Sequence, residues 1–169
     1  MAAIRVPRPL RAALCFGAAL AAWILFGDAC HRALGSAAGV VVAGGGIFVE
    51  PGSEALLAWP TDRPDARVRV PLTAVTSNLV LLATLWGWTG PRRATGYVWG
   101  LLVVIAGQLL AVVSGIHATL ALGPGGETEY GVLATNLWFI AWQGYQIIGA
   151  WAIAFGAWWI WGGGEKAGG

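Results

Sequence analysis

The chain has 169 residues, of which 57% are hydrophobic and only 11% are charged, and its formal net charge is +2. This composition does not suit a water-exposed surface, so it argues against an ordinary soluble domain and favours a bilayer as the solvent. The basic residues are not concentrated in one segment, which argues against a nucleic-acid partner.

Four apolar stretches follow one another along the chain, and each approaches or exceeds the roughly 20 residues that a helix needs to cross a hydrocarbon core. None contains an acidic or basic residue after Arg11. Because backbone groups in lipid must satisfy their own hydrogen bonds, the stretches predict helices. We therefore predict an all-α membrane protein with four transmembrane helices, forming one domain over residues 1–169. The stretches run from Leu10 to Gly27, Leu72 to Gly90, Gly96 to Leu122 and Val132 to Trp161.

The first stretch follows a basic N-terminus, a pattern that is also typical of a signal peptide. The segment Gly27-Asp28-Ala29-Cys30 is a candidate lipoprotein-type cleavage site. Asp28, together with the lack of a leucine three residues before Cys30, argues against cleavage. We expect the first helix to be retained.

Charged residues and tryptophans predict the orientation. A cytoplasmic N-terminus and C-terminus satisfy the positive-inside rule and place a belt of tryptophans at the cytoplasmic boundary. The basic residues then inside are Arg5, Arg8, Arg11, Arg92, Arg93 and Lys166. The acidic residues then outside are Asp28, Glu50, Glu54, Asp62, Asp65, Glu127 and Glu129. The belt comprises Trp86, Trp88, Trp99, Trp158, Trp159 and Trp161. The predicted localisation is the bacterial inner membrane, with several passes.

Residues 28–70 form an extracytoplasmic insertion between the first and second helices. Short β-branched runs at Val40–Val42, Ile47–Val49 and Arg67–Val70 predict strands, and turn signals lie at Gly44–Gly46 and Pro60–Pro64. We expect a periplasmic cap containing a small β-hairpin or three strands. An irregular loop is the alternative, because a two-stranded hairpin is only marginally stable without packing.

Several amides interrupt the apolar stretches, and an amide in lipid needs a hydrogen-bonding partner. Asn136 and Gln143 are seven residues apart, hence on nearly one face of the fourth helix, with Gln146 on the same side. We predict contacts between helices or with another subunit; the alternative is a binding role for a quinone, a lipid or a peptide segment. The candidate residues are Asn78, Gln108, Asn136, Gln143 and Gln146.

His31 and His117 are the only histidines, and the predicted topology puts both near the outer surface. Such a pair suits bis-histidine haem ligation or a divalent metal. No third ligand and no recognisable spacing accompany them, so the favoured interpretation is two interfacial polar residues without a cofactor or metal. Signatures of catalysis are also missing from the sequence, and we predict that the protein is not an enzyme.

The layout and the segment Ala141-Trp142-Gln143-Gly144-Tyr145-Gln146 resemble the exosortase H-associated membrane proteins. The resemblance implies an accessory role beside a transpeptidase-like membrane enzyme that processes C-terminally anchored proteins in Gram-negative bacteria. The sorting enzyme's own catalytic set has no counterpart here, because Cys15, Arg32 and His117 do not lie on three successive late helices.

Two functional hypotheses follow. The first is a non-enzymatic accessory or structural subunit of a larger inner-membrane complex, in contact with larger integral membrane proteins and the lipid bilayer. The second is an electron-transfer membrane subunit that binds haem or quinone. Helix packing and amide hydrogen bonds would support the first.

Overall fold

A computed structural model describes residues 7–89, 94–123 and 126–161, and it is mostly helical with one small sheet. The helices are α1 (Arg8–Ala43), α2 (Thr73–Thr76), α3 (Asn78–Trp88), α4 (Ala94–Ala121), α5 (Gly126–Gly144) and α6 (Ala150–Trp161). A π-helical turn (Tyr145–Gly149) joins α5 to α6. The strands are β1 (Ile47–Glu50), β2 (Ala55–Pro60) and β3 (Val68–Pro71).

Helix α1 is longer than the first apolar stretch. It continues past Gly27 to Ala43, so the prediction of a strand at Val40–Val42 was wrong. Leu34, Ala38 and Val42 recur at helical spacing and are buried in the core, which contains the inner face of the sheet. This packing extends the helix through a segment whose β-branched residues favour a strand locally. The predicted turn at Gly44–Gly46 is confirmed.

The three strands form an antiparallel sheet in the order β1-β2-β3. Strands β1 and β3 overlap the predicted runs Ile47–Val49 and Arg67–Val70, whereas β2 was not predicted. Ile47, Leu56 and Val70 point to one face and are buried. Phe48 pairs with Trp59, and Leu57 pairs with Arg69, on the opposite face. The sheet is stable because its apolar face packs against α1 and α4.

The second and fourth apolar stretches are interrupted. The second divides at Ser77, whose hydroxyl donates to the Ala74 carbonyl at 3.1 Å and competes with the helical ladder. The fourth is interrupted by the π-helical turn, and a kink at Gly131, where φ is 71°, lies immediately before the stretch begins. Two helices, α1 and α4, are each long and apolar enough to cross a membrane as continuous helices.

The outer surface of the helical body is apolar. Large side chains with more than half of their area exposed occur on α1, α4, the π-helical turn and α6. They include Ile24, Leu25, Leu110, Ile147, Ile148 and Trp159. Exposed apolar side chains in such numbers are unusual on soluble monomers and suit an apolar solvent.

Helices α1 and α3 are in close contact at Gly87. A Cβ atom there would lie 2.7 Å from the Cys15 Cβ and 2.9 Å from the Ala12 Cα. At the same end of the bundle, the Arg11 guanidinium donates to the Gly87 carbonyl at 2.5 Å and to the Trp88 carbonyl at 3.0 Å. Arg11 thus satisfies carbonyls at the C-terminus of α3.

Replacing Gly87 with alanine should lower the free energy of unfolding by about 1–2 kcal/mol, because α1 must move away from the added methyl group. Thermal unfolding in a mild detergent, followed by circular dichroism, measures the change. Gly17→Ala is the matched control, since a Cβ at Gly17 meets nothing within 4 Å. Equal unfolding temperatures for the two variants would contradict the close approach of α1 and α3.

Some predictions fall outside the described residues. These are the placement of Arg5, Arg92, Arg93 and Lys166, and most of the predicted cytoplasmic turn between the second and third apolar stretches. The side chains of Glu127 and Glu129 are also outside the described set.

Candidate functional site

Three groups of polar side chains and one groove are the features of the fold that could carry function. The first group surrounds His31 and is called the histidine cluster: His31, Thr76, Trp23 and the Ser53 carbonyl. The second, the buried amide network, comprises Asn78, Gln108 and Tyr145. The third, the outward amides, comprises Asn136, Gln143 and Gln146.

The histidine cluster joins α1 to the β1–β2 loop and to α2. His31 Nδ1 donates to the Ser53 carbonyl, so Nε2 of the neutral ring is the acceptor. Thr76 Oγ1 lies 2.8 Å from that nitrogen and 3.4 Å from the Thr73 carbonyl, and its single proton therefore goes to His31. Trp23 Nε1 donates to the same hydroxyl at 3.1 Å. The cluster fixes three separate segments of the chain to one another.

A hydroxyl beside an imidazole is also the arrangement of a nucleophile and its base. Here, however, His31 is 4% exposed and Thr76 is 1% exposed. Trp23 packs edge-on against the imidazole, with the ring centroids 6.3 Å apart. This geometry suits a stabilising role, because a substrate would have to displace these side chains to reach the Thr76 hydroxyl.

His117 lies in a different environment from His31. Its Nδ1 is 3.1 Å from the Tyr130 hydroxyl, and its ring stacks on Trp138 with centroids 4.5 Å apart. His31 uses both ring nitrogens within its own cluster, which leaves it no lone pair for a haem iron. Within residues 7–89, 94–123 and 126–161, no group of three or more His, Cys, Asp or Glu side chains is placed to hold a metal ion.

The buried amide network connects α3, α4 and the π-helical turn. Gln108 Nε2 donates to Asn78 Oδ1 at 2.6 Å, Asn78 Nδ2 donates to the Tyr145 hydroxyl at 3.1 Å, and that hydroxyl lies 3.3 Å from the Val75 carbonyl. Asn78 and Gln108 are each 3% exposed. The two amides are hydrogen-bonded to each other inside the chain, so their mutual contact does not require a second protein.

The outward amides differ from the buried amide network in exposure and in hydrogen bonding. Asn136 and Gln146 are exposed and Gln143 is half-buried. Among the residues that the structure describes, none of the three side chains has a hydrogen-bond partner. Buried and exposed side chains occur at neighbouring positions of the π-helical turn, where Tyr145 is buried and Gln146 is exposed.

A groove, here called the lateral groove, opens on the side of the helical body between α1, α3 and α6. Its volume is about 370 Å³. The walls include Phe16, Leu20 and Trp23 from α1 and Trp151 from α6, and Asn78 belongs to its floor. The groove therefore reaches the edge of the buried amide network.

Thr76, Trp23 and Ser53 were not among the candidates from sequence, although they complete the histidine cluster. A threonine and a tryptophan in apolar stretches are common, and Ser53 contributes only a backbone carbonyl. No sequence signal distinguishes these three positions from ordinary ones.

Comparison with protein families, with curated proteins and with solved structures found no match to this chain. Its function is therefore inferred from its own residues and their geometry.

Proposed function

We propose that the protein is a non-enzymatic accessory subunit of a larger bacterial inner-membrane complex, crossing the bilayer four times with both termini in the cytoplasm. The observation that carries the proposal is Gln146. It is an exposed amide without an intramolecular partner among the described residues, and it is followed by Ile147 and Ile148, which are 69% and 66% exposed.

The apolar outer surface supports the bilayer placement. Exposed leucine, isoleucine and tryptophan side chains surround the helices and would be costly in water at about 25 cal/mol per Å². A bilayer removes that cost. The interrupted second and fourth stretches remain compatible with crossing, because breaks in membrane helices are tolerated where neighbouring helices bury them.

Contacts at one end of the bundle support the orientation. Arg11, near the start of α1, binds carbonyls at the end of α3. Trp158, near the end of α6, donates from Nε1 to Thr89 Oγ1 at 2.9 Å, just beyond α3. The start of α1 and the end of α6 therefore lie at the same end of the bundle. That is the arrangement expected when both termini are on one side, and the basic residues favour the cytoplasmic side.

The outward amides support a protein partner. An amide side chain facing hydrocarbon without a hydrogen bond costs several kcal/mol in the limit where nothing can pair with it. Gln146 lies near the middle of the segment from Gly131 to Trp161, too far from either end for its short side chain to reach water easily. A polar or backbone group from another membrane helix would pair with it.

The outer face of the sheet offers a second contact surface. The Phe48 and Trp59 rings are in contact at a tilt of 35° with centroids 4.7 Å apart, and the Arg67 guanidinium lies 4.5 Å from the Trp59 ring centroid. Phe48 and Arg67 are exposed and Trp59 is half-buried, and aromatic and arginine side chains are the types enriched in protein interfaces. In the proposed topology, this face is available to an extracytoplasmic domain of the partner. The exosortase resemblance identifies a protein-sorting enzyme as the first partner to examine.

Gln146→Leu should reduce recovery of the partner about five- to thirtyfold, because one intramembrane hydrogen bond is worth about 1–2 kcal/mol. The measurement is quantitative mass spectrometry of proteins that co-purify from native membranes in mild detergent. Ile147→Leu is the matched control, since it changes a neighbouring exposed side chain without altering an amide. Its recovery of the partner should equal that of the unaltered protein.

Two results would overturn the proposal. One is recovery of the unaltered protein only as a monomer. The other is unchanged partner recovery when Gln143→Leu and Gln146→Leu are combined. A partner other than a sorting enzyme would retain the accessory role and remove the exosortase assignment.

A further inference from the structure

We propose that the lateral groove binds a neutral, single-chain membrane amphiphile through a hydrogen bond from Asn78 to a carbonyl oxygen of that molecule. The inference goes beyond the accessory role and does not depend on any protein partner. The two proposals have only one premise in common, which is that the helices lie in a bilayer.

The hydrogen bonds of Asn78 are the first observation. Its Oδ1 accepts from Gln108, and one Nδ2 hydrogen goes to the Tyr145 hydroxyl. An amide nitrogen carries two hydrogens, and the second has no partner among the described residues. Asn78 is 97% buried and lines the groove, so this hydrogen cannot turn to bulk water. The first hydrogen already goes to Tyr145, and an acceptor in the groove would take the second.

The walls of the groove indicate the rest of the ligand. They are formed largely by Phe16, Leu20, Val80, Leu81 and Trp151, which suit a hydrocarbon chain. None of the lining residues is ionisable at neutral pH, so nothing there would recognise a phosphate or carboxylate head. The complementary molecule has an uncharged polar end and an apolar tail.

The size of the groove suits a small ligand. Its volume of about 370 Å³ is within the range of small-molecule pockets. Residues of α1, α3 and α6 line the groove, which is open at its side, so a single chain can enter from the bilayer.

Two sources share the required chemistry. A carbonyl on a hydrocarbon tail occurs in isoprenoid or alkyl quinones and in acyl esters such as monoacylglycerols. The experiment compares three probes of equal chain length: an alkyl benzoquinone, a monoacylglycerol and an alkylbenzene without oxygen. Binding to the purified protein in detergent is measured by equilibrium competition, with native mass spectrometry for stoichiometry.

We expect saturable binding of at least one carbonyl probe, about fivefold tighter than the alkylbenzene, since one hydrogen bond accounts for the difference. Which carbonyl probe binds identifies the source. Asn78→Leu should bring that probe to the affinity of the alkylbenzene. Failure of both carbonyl probes to bind, or equal affinity for all three probes, would overturn the proposal.

A second pair of variants tests the location independently of the amide network. Leu20→Trp places a larger side chain in the wall of the groove and should lower the affinity for the carbonyl probe about tenfold or more. Leu25→Trp is the matched control, because Leu25 lies on the same helix, is 74% exposed and does not line the groove. Equal probe affinity in the two variants would place binding elsewhere and refute the inference.

Discussion

Replacing Thr76 with valine should lower the free energy of unfolding by about 3 kcal/mol, the largest effect we expect from a single side chain in this protein. Valine keeps the shape of threonine and removes only the hydroxyl. Two buried or partly buried nitrogens, His31 Nε2 and Trp23 Nε1, then lose their hydrogen-bond partner. Each group left without a partner in the interior costs about 1–3 kcal/mol.

The measurement is thermal or denaturant unfolding in detergent, combined with limited proteolysis of the β1–β2 loop. Loop cleavage should accelerate, because the histidine cluster attaches Ser53 to α1. Thr119→Val is the control, since the Thr119 hydroxyl donates only to the Gly115 carbonyl in its own helix, at 2.6 Å. A loss of stability in Thr76→Val no larger than in this control would show that the cluster does not stabilise the fold.

Asn78→Leu should lower the free energy of unfolding by about 2 kcal/mol, because the Gln108 amide is left buried without its acceptor. Gln108→Leu should have a similar effect on Asn78. The double variant should be more stable than the sum of the two losses predicts, since neither amide is then left unpaired. We expect a coupling of about 1 kcal/mol, within the range of hydrogen bonds between membrane helices.

Unfolding curves of the four proteins in one detergent provide this coupling. Asn136→Leu is the comparison from outside the buried amide network, since Asn136 is exposed and has no hydrogen-bond partner among the described residues. It should leave the stability of the isolated protein unchanged or raise it. Strict additivity of the Asn78 and Gln108 variants would mean that their contact at 2.6 Å contributes nothing specific.

Polar side chains inside apolar stretches were a sufficient signal for the amide candidates. Asn78 and Gln108 stand out in sequence because each lies within a run of residues that otherwise suits lipid. Their division into inward and outward members could not be predicted. The helices are apolar on every side, and without a polar face no periodic pattern tells which side of a helix is buried.

The strands also show where prediction from local sequence fails. Alternation at Arg67–Val70 and the glycine turn at Gly44–Gly46 predicted strands and their boundary from local chemistry. The same local chemistry predicted a strand at Val40–Val42, where the chain is helical. Burial of Ala38 and Val42 in the core shared with the sheet outweighs the intrinsic preference of valine, and that burial exists only once distant segments have come together.

Composition and local pattern were enough to predict apolar helices and amides that require partners. They placed the start of the insertion at residue 28, although α1 continues to Ala43. Which amides satisfy one another depends on the tertiary structure. Asn78 meets Gln108 across 30 positions and Tyr145 across 67, while the π-helical turn leaves Gln146 on the surface. Such pairings depend on how helices rotate and pack, and packing of side chains from distant segments is not encoded in any one segment.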